Sequence, residues 1–465
     1  MVFSSSAFLF FFLPITLLLY YACKKNRTLS NAVLTVMSLM FYAWGEPRFV
    51  LVMLGSIVLN WLIALSIGKS RSPSRKKLYL ALGITLNVLI LGVFKYAGFV
   101  IRNINALGAH IADPGIALPI GISFFTFQAM SYIIDVYRGK GCAQKSLMNV
   151  CLYISFFPQL IAGPIVRYET VALELTGRRE TLDDFTEGVR RFIIGLAKKA
   201  VLANTLAELV DKIYALENAS ALAAWIAACA YLMQVYYDFS GYSDMAIGLG
   251  RMFGFHFPEN FVLPFISKSV TEFWRRWHIS MCTWFRDYVF FPLGGSRVRT
   301  KARLIFNMLV VWALTGLWHG ADWTYVCWGL AFFAVLVFEK LTGFGKWAEK
   351  HAFGHFYAML AVVVITVLIR SSDITFAFRF YVSMLGLGGA GLSDGLTLLL
   401  LKEYAWCLAL GVVCSLPAGE FLKRRLKIPD AAWQLACGIA VVACGVLAVS
   451  YAASGGYNPF IYYNF

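Results

Sequence analysis

Charge is what this sequence has least of. Of its 465 residues 14% are charged, 60% are hydrophobic and 16% are aromatic, against about 25% charged in an ordinary soluble domain. So little charge cannot cover the surface of a water-soluble enzyme of this length, and the chain belongs in a bilayer. Acidic residues are the scarcer sign, 25 Asp and Glu against 41 Lys and Arg, for a net charge of +16. In a membrane chain that excess reads as topology, with Lys and Arg held in cytoplasmic loops, rather than as nucleic-acid affinity. No nucleic-acid partner is expected. At roughly 20 residues per spanning helix there is room for about ten to twelve membrane segments, and the soluble stretches are too short for a second domain.

Other absences narrow the chemistry. There is no CxxC pair among the ten cysteines, so neither a structural metal nor a redox couple is expected. Cys151, Cys229, Cys327, Cys407, Cys414, Cys437 and Cys444 lie in apolar runs and read as small packing residues. No glycine loop ends in a Walker lysine and there is no GxSxG elbow, which removes support for nucleotide hydrolysis and for a serine esterase. Residues 386–391 match GxGxxG, but without the strand, helix and distal acid that give the pattern meaning they read as a turn. No Lys or Arg precedes Lys24, so the first apolar run, 5–22, is expected to be a retained span rather than a cleavable signal.

Apolar runs and basic clusters then alternate. Lys24, Lys25 and Arg27 follow the first run, and Lys69, Arg71, Arg75, Lys76 and Lys77 follow the third. The positive-inside rule puts both clusters in the cytoplasm. The run 78–101 leads outward, and Lys423, Arg424, Arg425 and Lys427 mark a later return. From Pro114 the texture changes, and Gly, Pro and polar residues break the runs, as in Pro119-Ile120-Gly121-Ile122-Ser123. Broken backbone at membrane depth is tolerated where protein or a water-filled cavity satisfies it, so the middle of the chain is expected to line a cavity. The expected fold is all-α and polytopic, with re-entrant and interfacial helices around a central tunnel. It forms one domain over 1–465, with N-terminal spans at 1–113, a tunnel-lining core at 114–342 and C-terminal spans at 343–465. In 185–214, Arg191 and Lys198 share a helical face, which fits a helix lying on lipid headgroups or a dock for an acidic donor.

Polar, aromatic and charged residues concentrate between 231 and 329, and ionisable groups at membrane depth mark function by default. Of the six histidines, only His319 is embedded in a long apolar stretch, Ile305 to Phe338. Desolvation there favours neutral imidazole, the form a general base requires. On a continuous helix Thr315 and Trp323 would share its face, and Asp322 would orient the ring. A histidine hydrogen-bonded within the bundle fits equally well. His278 follows two tryptophans and two arginines, with Trp274 and Cys282 expected on its helical face; interfacial anchoring and a direct chemical role both remain open. His351 and His355 have metal-like spacing but lie in a basic loop, and His110 and His256 carry no further signal.

Four ordered motifs then gain meaning together. Tyr237-Asp238-Phe239-Ser240-Gly241-Tyr242-Ser243-Asp244, Phe273-Trp274-Arg275-Arg276-Trp277-His278, Arg286-Asp287-Tyr288-Val289-Phe290-Phe291-Pro292 and Trp318-His319-Gly320-Ala321-Asp322-Trp323 resemble the membrane-bound O-acyltransferase family. The resemblance is to its bacterial branch that acetylates exopolysaccharides such as alginate. Met1–Ser5 and the run Pro459-Phe460-Ile461-Tyr462-Tyr463 are similar to that branch as well. The resemblance implies that His319 is catalytic, that His278 lines the same tunnel and shares the catalysis, and that Asp238, Tyr242, Trp274, Arg275, Trp318 and Asp322 line it. It implies no bound cofactor and no metal. An acetyl-CoA or acyl-carrier thioester is the implied donor, a periplasmic SGNH-type acetylase the partner and a polysaccharide the acceptor, at the bacterial inner membrane. D-alanyl transfer towards teichoic acid is the alternative within the family. A transporter or flippase using His319, Asp238 and Asp244 is the alternative outside it, although the halves of the chain show no repeat.

Overall fold

The computed structural model describes residues 1–454 and 456–459. Of the two terminal motifs, residues 460–463 therefore lie outside the described residues. The described chain is helical without a strand. The helices that carry the bundle and its site are α1 (Arg27–Gly45), α2 (Phe49–Lys69), α3 (Pro73–Leu91), α4 (Ile122–Arg138), α5 (Leu147–Ser155), α6 (Leu182–Ala197), α7 (Ala221–Met252), α8 (Val270–Arg276), α9 (Ile279–Phe285), α10 (Lys301–His319), α11 (Trp323–Thr342), α12 (Phe353–Arg370), α13 (Gly395–Cys414) and α14 (Asp430–Ala453). Among the described residues seven helices are long and apolar enough to cross a membrane, namely α2, the run Pro73–Ala106 that begins with α3, and α10 to α14 without a break; Phe8–Ala22 and Ile374–Met384 are shorter apolar helices. Shorter helices make up the other segments. α4 has only 17 residues and buries Ser123, Thr126, Gln128, Ser131 and Asp135 among its apolar ones.

The chain divides into two compact units, one of residues 1–192 and 243–258, the other of 193–242 and 259–465. In the first, α2 packs on α3 and α4, and α1 packs on α5. Polar side chains join helices where lipid supplies no hydrophobic drive: Asn60 and Asn87 exchange amide hydrogen bonds at 3.3 and 2.8 Å, and Asn31 donates to Asn149 at 3.0 Å. Arg27, one of the basic residues that sets topology, is drawn inward. It bonds Glu180 at 2.6 Å and the Arg178 carbonyl at 2.7 Å, while Arg178 lies over the Phe255 ring at 4.4 Å.

In the second unit α10 and α11 form an antiparallel hairpin, α12 packs on α11, and α13 packs on the helix Asn204–Tyr214. The hairpin is close because Gly316 and Gly329 face the opposite backbone. A Cβ on Gly316 would stand 2.6 Å from the Tyr325 carbonyl oxygen, and one on Gly329 would stand 2.5 Å from that of Trp312. Such small-residue seams are how spanning helices approach each other.

Within 185–214 two of the basic residues are drawn into ion pairs, while the side chains of Arg190 and Lys212 stay about half exposed. Arg191 pairs with Asp244 at 2.8 Å in the first unit. Lys199 pairs with Asp238 at 2.8 Å in the second, both side chains 3% exposed.

Candidate active site

His278 and His319 are both held where helices break. Ser269 caps α8 by accepting from the Glu272 amide at 2.9 Å. The buried Glu339 carboxylate of α11 accepts from the amides of Val270 and Thr271 at 2.7 and 2.9 Å and from the Thr271 hydroxyl at 2.6 Å. Carboxylates are stabilised against the free amides of a helix start, so Glu339 fastens α8 to α11. α8 ends at Arg276; His278 lies in the left-handed region at φ 45° and starts α9. The continuous helical face expected for Trp274, His278 and Cys282 is thus replaced by two short helices and a strained junction. His278 Nδ1 lies 3.2 Å from Asn260 Oδ1, which also accepts from the Ser280 amide and hydroxyl at 3.2 and 2.9 Å. With three donors converging on one oxygen, Nδ1 carries the proton and Nε2 is left as the acceptor nitrogen. Burial first, and second the charge His319 takes on when protonated, hold this imidazole well below the ordinary histidine range.

His319 is the last residue of α10, and Gly320 leaves the helix at φ −165°. Asp322 does not orient the ring across a helical turn. It caps α11, its side chain accepting from the Thr324 amide at 3.3 Å, so the i+3 and i+4 relations to Asp322 and Trp323 do not exist. Thr315, one turn earlier on α10, keeps its place.

The two imidazoles are brought together, with ring centroids 6.4 Å apart. Trp318 lies 5.8 Å from His278, Phe239 4.6 Å from His278 and Trp328 4.9 Å from His319. His278 is fully buried; His319 lines a narrow cavity of about 40 Å³ together with Phe239, Trp274, Trp328, Phe332 and Val362. On the other side of Trp274, a wall of both spaces, is a cavity of about 370 Å³. Thr315, Trp312 and Met281 line it, with Arg275, Arg286 and Lys340 supplying positive charge.

Of the residues expected at the site, His278, His319, Trp274 and Trp318 therefore cluster, and Arg275 lines the larger space. Asp238 is engaged by Lys199, Tyr242 is buried further along α7, and neither lines either cavity. Glu339 and Asn260 escaped the sequence reading. Glu339 had a signal, a carboxylate inside an apolar helix; Asn260 had none in its local pattern.

The pattern of the membrane-bound O-acyltransferase family matches residues 142–370, which include both histidines. The chain is 44% identical over 408 residues to "Probable alginate O-acetylase AlgI" of Pseudomonas syringae pv. tomato, covering 85% of this chain and 77% of that one. It is 32% identical over 438 residues to "Peptidoglycan O-acetyltransferase" of Helicobacter pylori, covering 84% and 81%. To "Teichoic acid D-alanyltransferase" of Bacillus subtilis it is 31% identical over 260 residues, covering 53% and 65%. With the apolar spanning helices and the paired imidazoles, these matches show that the chain belongs to the membrane-bound O-acyltransferase family and is a multi-pass membrane O-acyltransferase.

Proposed function

We propose that this chain passes an acetyl group from a cytoplasmic thioester donor across the bacterial inner membrane for O-acetylation of an exported polysaccharide. A periplasmic SGNH-type acetylase completes delivery to the polymer. Alginate, the polymer in the names of relatives 44% and 43% identical to this chain, is the first acceptor to test. The carrying observation is that His319 lines a cavity in the helical bundle, beside a larger cavity with cationic side chains. Arg275, Arg286 and Lys340 suit the phosphates of CoA or of a carrier protein's phosphopantetheine arm. D-alanyl transfer has weaker support, since that relative matches 53% of this chain.

In the reaction the hydroxyl oxygen of the acceptor attacks the thioester carbonyl carbon while His319 takes the hydroxyl proton. The new C–O bond forms, the C–S bond breaks, and the departing sulfur receives the proton from His319, leaving an ester and a free thiol. A positioned base of this kind contributes about 10²- to 10⁴-fold. His278, fixed through Asn260, supports the imidazole beside it. His319→Ala is expected to lower polymer O-acetyl content by about that factor at unchanged polymer yield and membrane abundance. Full acetylation by a normally folded His319→Ala protein would overturn the assignment, and lost polymer yield with unaltered acetylation would point to an exporter.

A further inference from the structure

The basic connection between α13 and α14 supplies no residue to either cavity of the candidate active site. Its core is a short helix, Ala418–Arg425. We infer that this helix binds an anionic phospholipid of the cytoplasmic leaflet, Arg424 and Arg425 holding the headgroup phosphate while Phe421 and the bare face of α14 meet the acyl chains.

Both flanking helices are long and apolar enough to cross a membrane, so the segment joining them lies at the bilayer surface. Its cluster of Lys423, Arg424, Arg425 and Lys427 makes that surface the cytoplasmic one. One side of the short helix is turned towards α14. A Cβ on Gly419 would stand 3.5 Å from the Trp433 ring, and Lys423 pairs with Asp430 at 2.9 Å. Pro417, Glu420, Phe421 and Arg424 recur at three- and four-residue spacing and share the other side, where with Arg425 they line an open cleft. Phe421 is 69% exposed there. Among the described residues neither guanidinium is in an ion pair, and Glu420 is the one carboxylate at the cleft. Guanidinium groups match phosphate oxygens through paired N–H bonds. The apolar half of the ligand has a surface as well: of the 24 residues of α14 Ala448 alone is buried, and Leu435, Ile439 and Val442 are exposed. A soluble phosphate compound such as CoA would satisfy the arginines and leave Phe421 in water, whereas a phospholipid satisfies both. The surplus of positive charge favours an anionic one.

The test holds the full chain in phosphatidylcholine nanodiscs with graded amounts of a photoactivatable phosphatidylglycerol, and reads crosslinking to residues 417–427. Wild type is expected to label there saturably, at low lipid fractions. Arg424→Gln with Arg425→Gln is expected to raise the half-saturating fraction about fivefold for each cation lost, on the order of 25-fold for the pair. Lys76→Gln with Lys77→Gln removes the same charge from the same side of the membrane and is expected to leave that fraction unmoved. Both arginines are exposed, so the fold has little to lose; Phe421→Ser, also expected to weaken labelling, gives a second reading. Labelling unmoved in both cleft variants, or weakened equally by the Lys76 and Lys77 changes, would overturn the site. Loss of label on adding CoA at constant ionic strength would assign the cleft to a soluble phosphate and overturn the lipid.

Discussion

At the scale of single residues, the site depends on buried polar groups whose partners are specific. Lys199 and Asp238 illustrate the cost of separating them. Both side chains are 3% exposed and the pair is 2.8 Å apart, so removing one leaves an uncompensated charge, which costs about 3–5 kcal/mol. Asp238→Leu alone is expected to lower thermal stability by about that much, and Lys199→Met with Asp238→Leu is expected to recover most of it. Thermal unfolding in detergent checks both. A proton-relay role for Asp238 would instead leave the double variant stable and inactive, so acetylation is measured alongside. The same scale shows what sequence could reveal. His319 and His278 were legible because an imidazole amid apolar and aromatic residues is rare and costly. Their neighbours were misread because side-chain spacing was counted along helices that in fact end at Arg276 and at His319. Gly320 followed by the capping Asp322 carried the signal for the second break.

At the scale of elements, the polar ties between segments are what fixed spacing could not anticipate. His256 seemed uninformative in sequence, yet after α7 its Nδ1 lies 2.8 Å from Glu174 and its Nε2 3.2 Å from Asp184. Burial would lower this imidazole's pKa, but the hydrogen bonds its ring N–H groups donate to the two carboxylates outweigh it and raise it above 6.5. Because the folded pKa lies above the unfolded one, the stabilisation is fully present below the ordinary histidine pKa, about 6.5. It fades as pH rises through the raised folded value. Asp184 runs the other way: the Thr181 hydroxyl bond, and after it His256, hold its carboxyl below 3.8, so its contribution fades only in acid. Wild type is therefore expected to lose more thermal stability between pH 6 and pH 9 than His256→Gln does. The effect is modest, since the imidazole is half exposed and screened by solvent. Parallel pH profiles for the two proteins would refute the tie. Glu339 belongs to the same class: the sequence showed a carboxylate in an apolar helix, and only folding brought the start of α8 to it.

At the scale of the whole molecule, composition was enough to predict a polytopic helical protein, since sparse charge and long apolar runs admit little else. Orientation in the membrane is the remaining large-scale consequence. Pro73–Ala106 runs for 34 residues, which at 1.5 Å per residue is about 50 Å against a hydrocarbon core of about 30 Å. The excess places its two ends well clear of the core. Before it lie Lys69 and Arg71, and within its first two turns lie Arg75, Lys76 and Lys77; after it comes the exposed stretch around Ala112, which holds no Lys or Arg between Arg102 and Arg138. The excess of basic charge at the first end makes that end cytoplasmic. Single cysteines at Ser72 and Ala112, in a background from which exposed Cys142 and the other native cysteines have been removed, distinguish the two ends. A membrane-impermeant thiol reagent added to intact cells is expected to label Ala112→Cys and to reach Ser72→Cys only after permeabilisation. Labelling in the opposite sense would invert this span, and with it the assignment of the neighbouring Lys69–Lys77 cluster to the side from which the proposed thioester donor would approach.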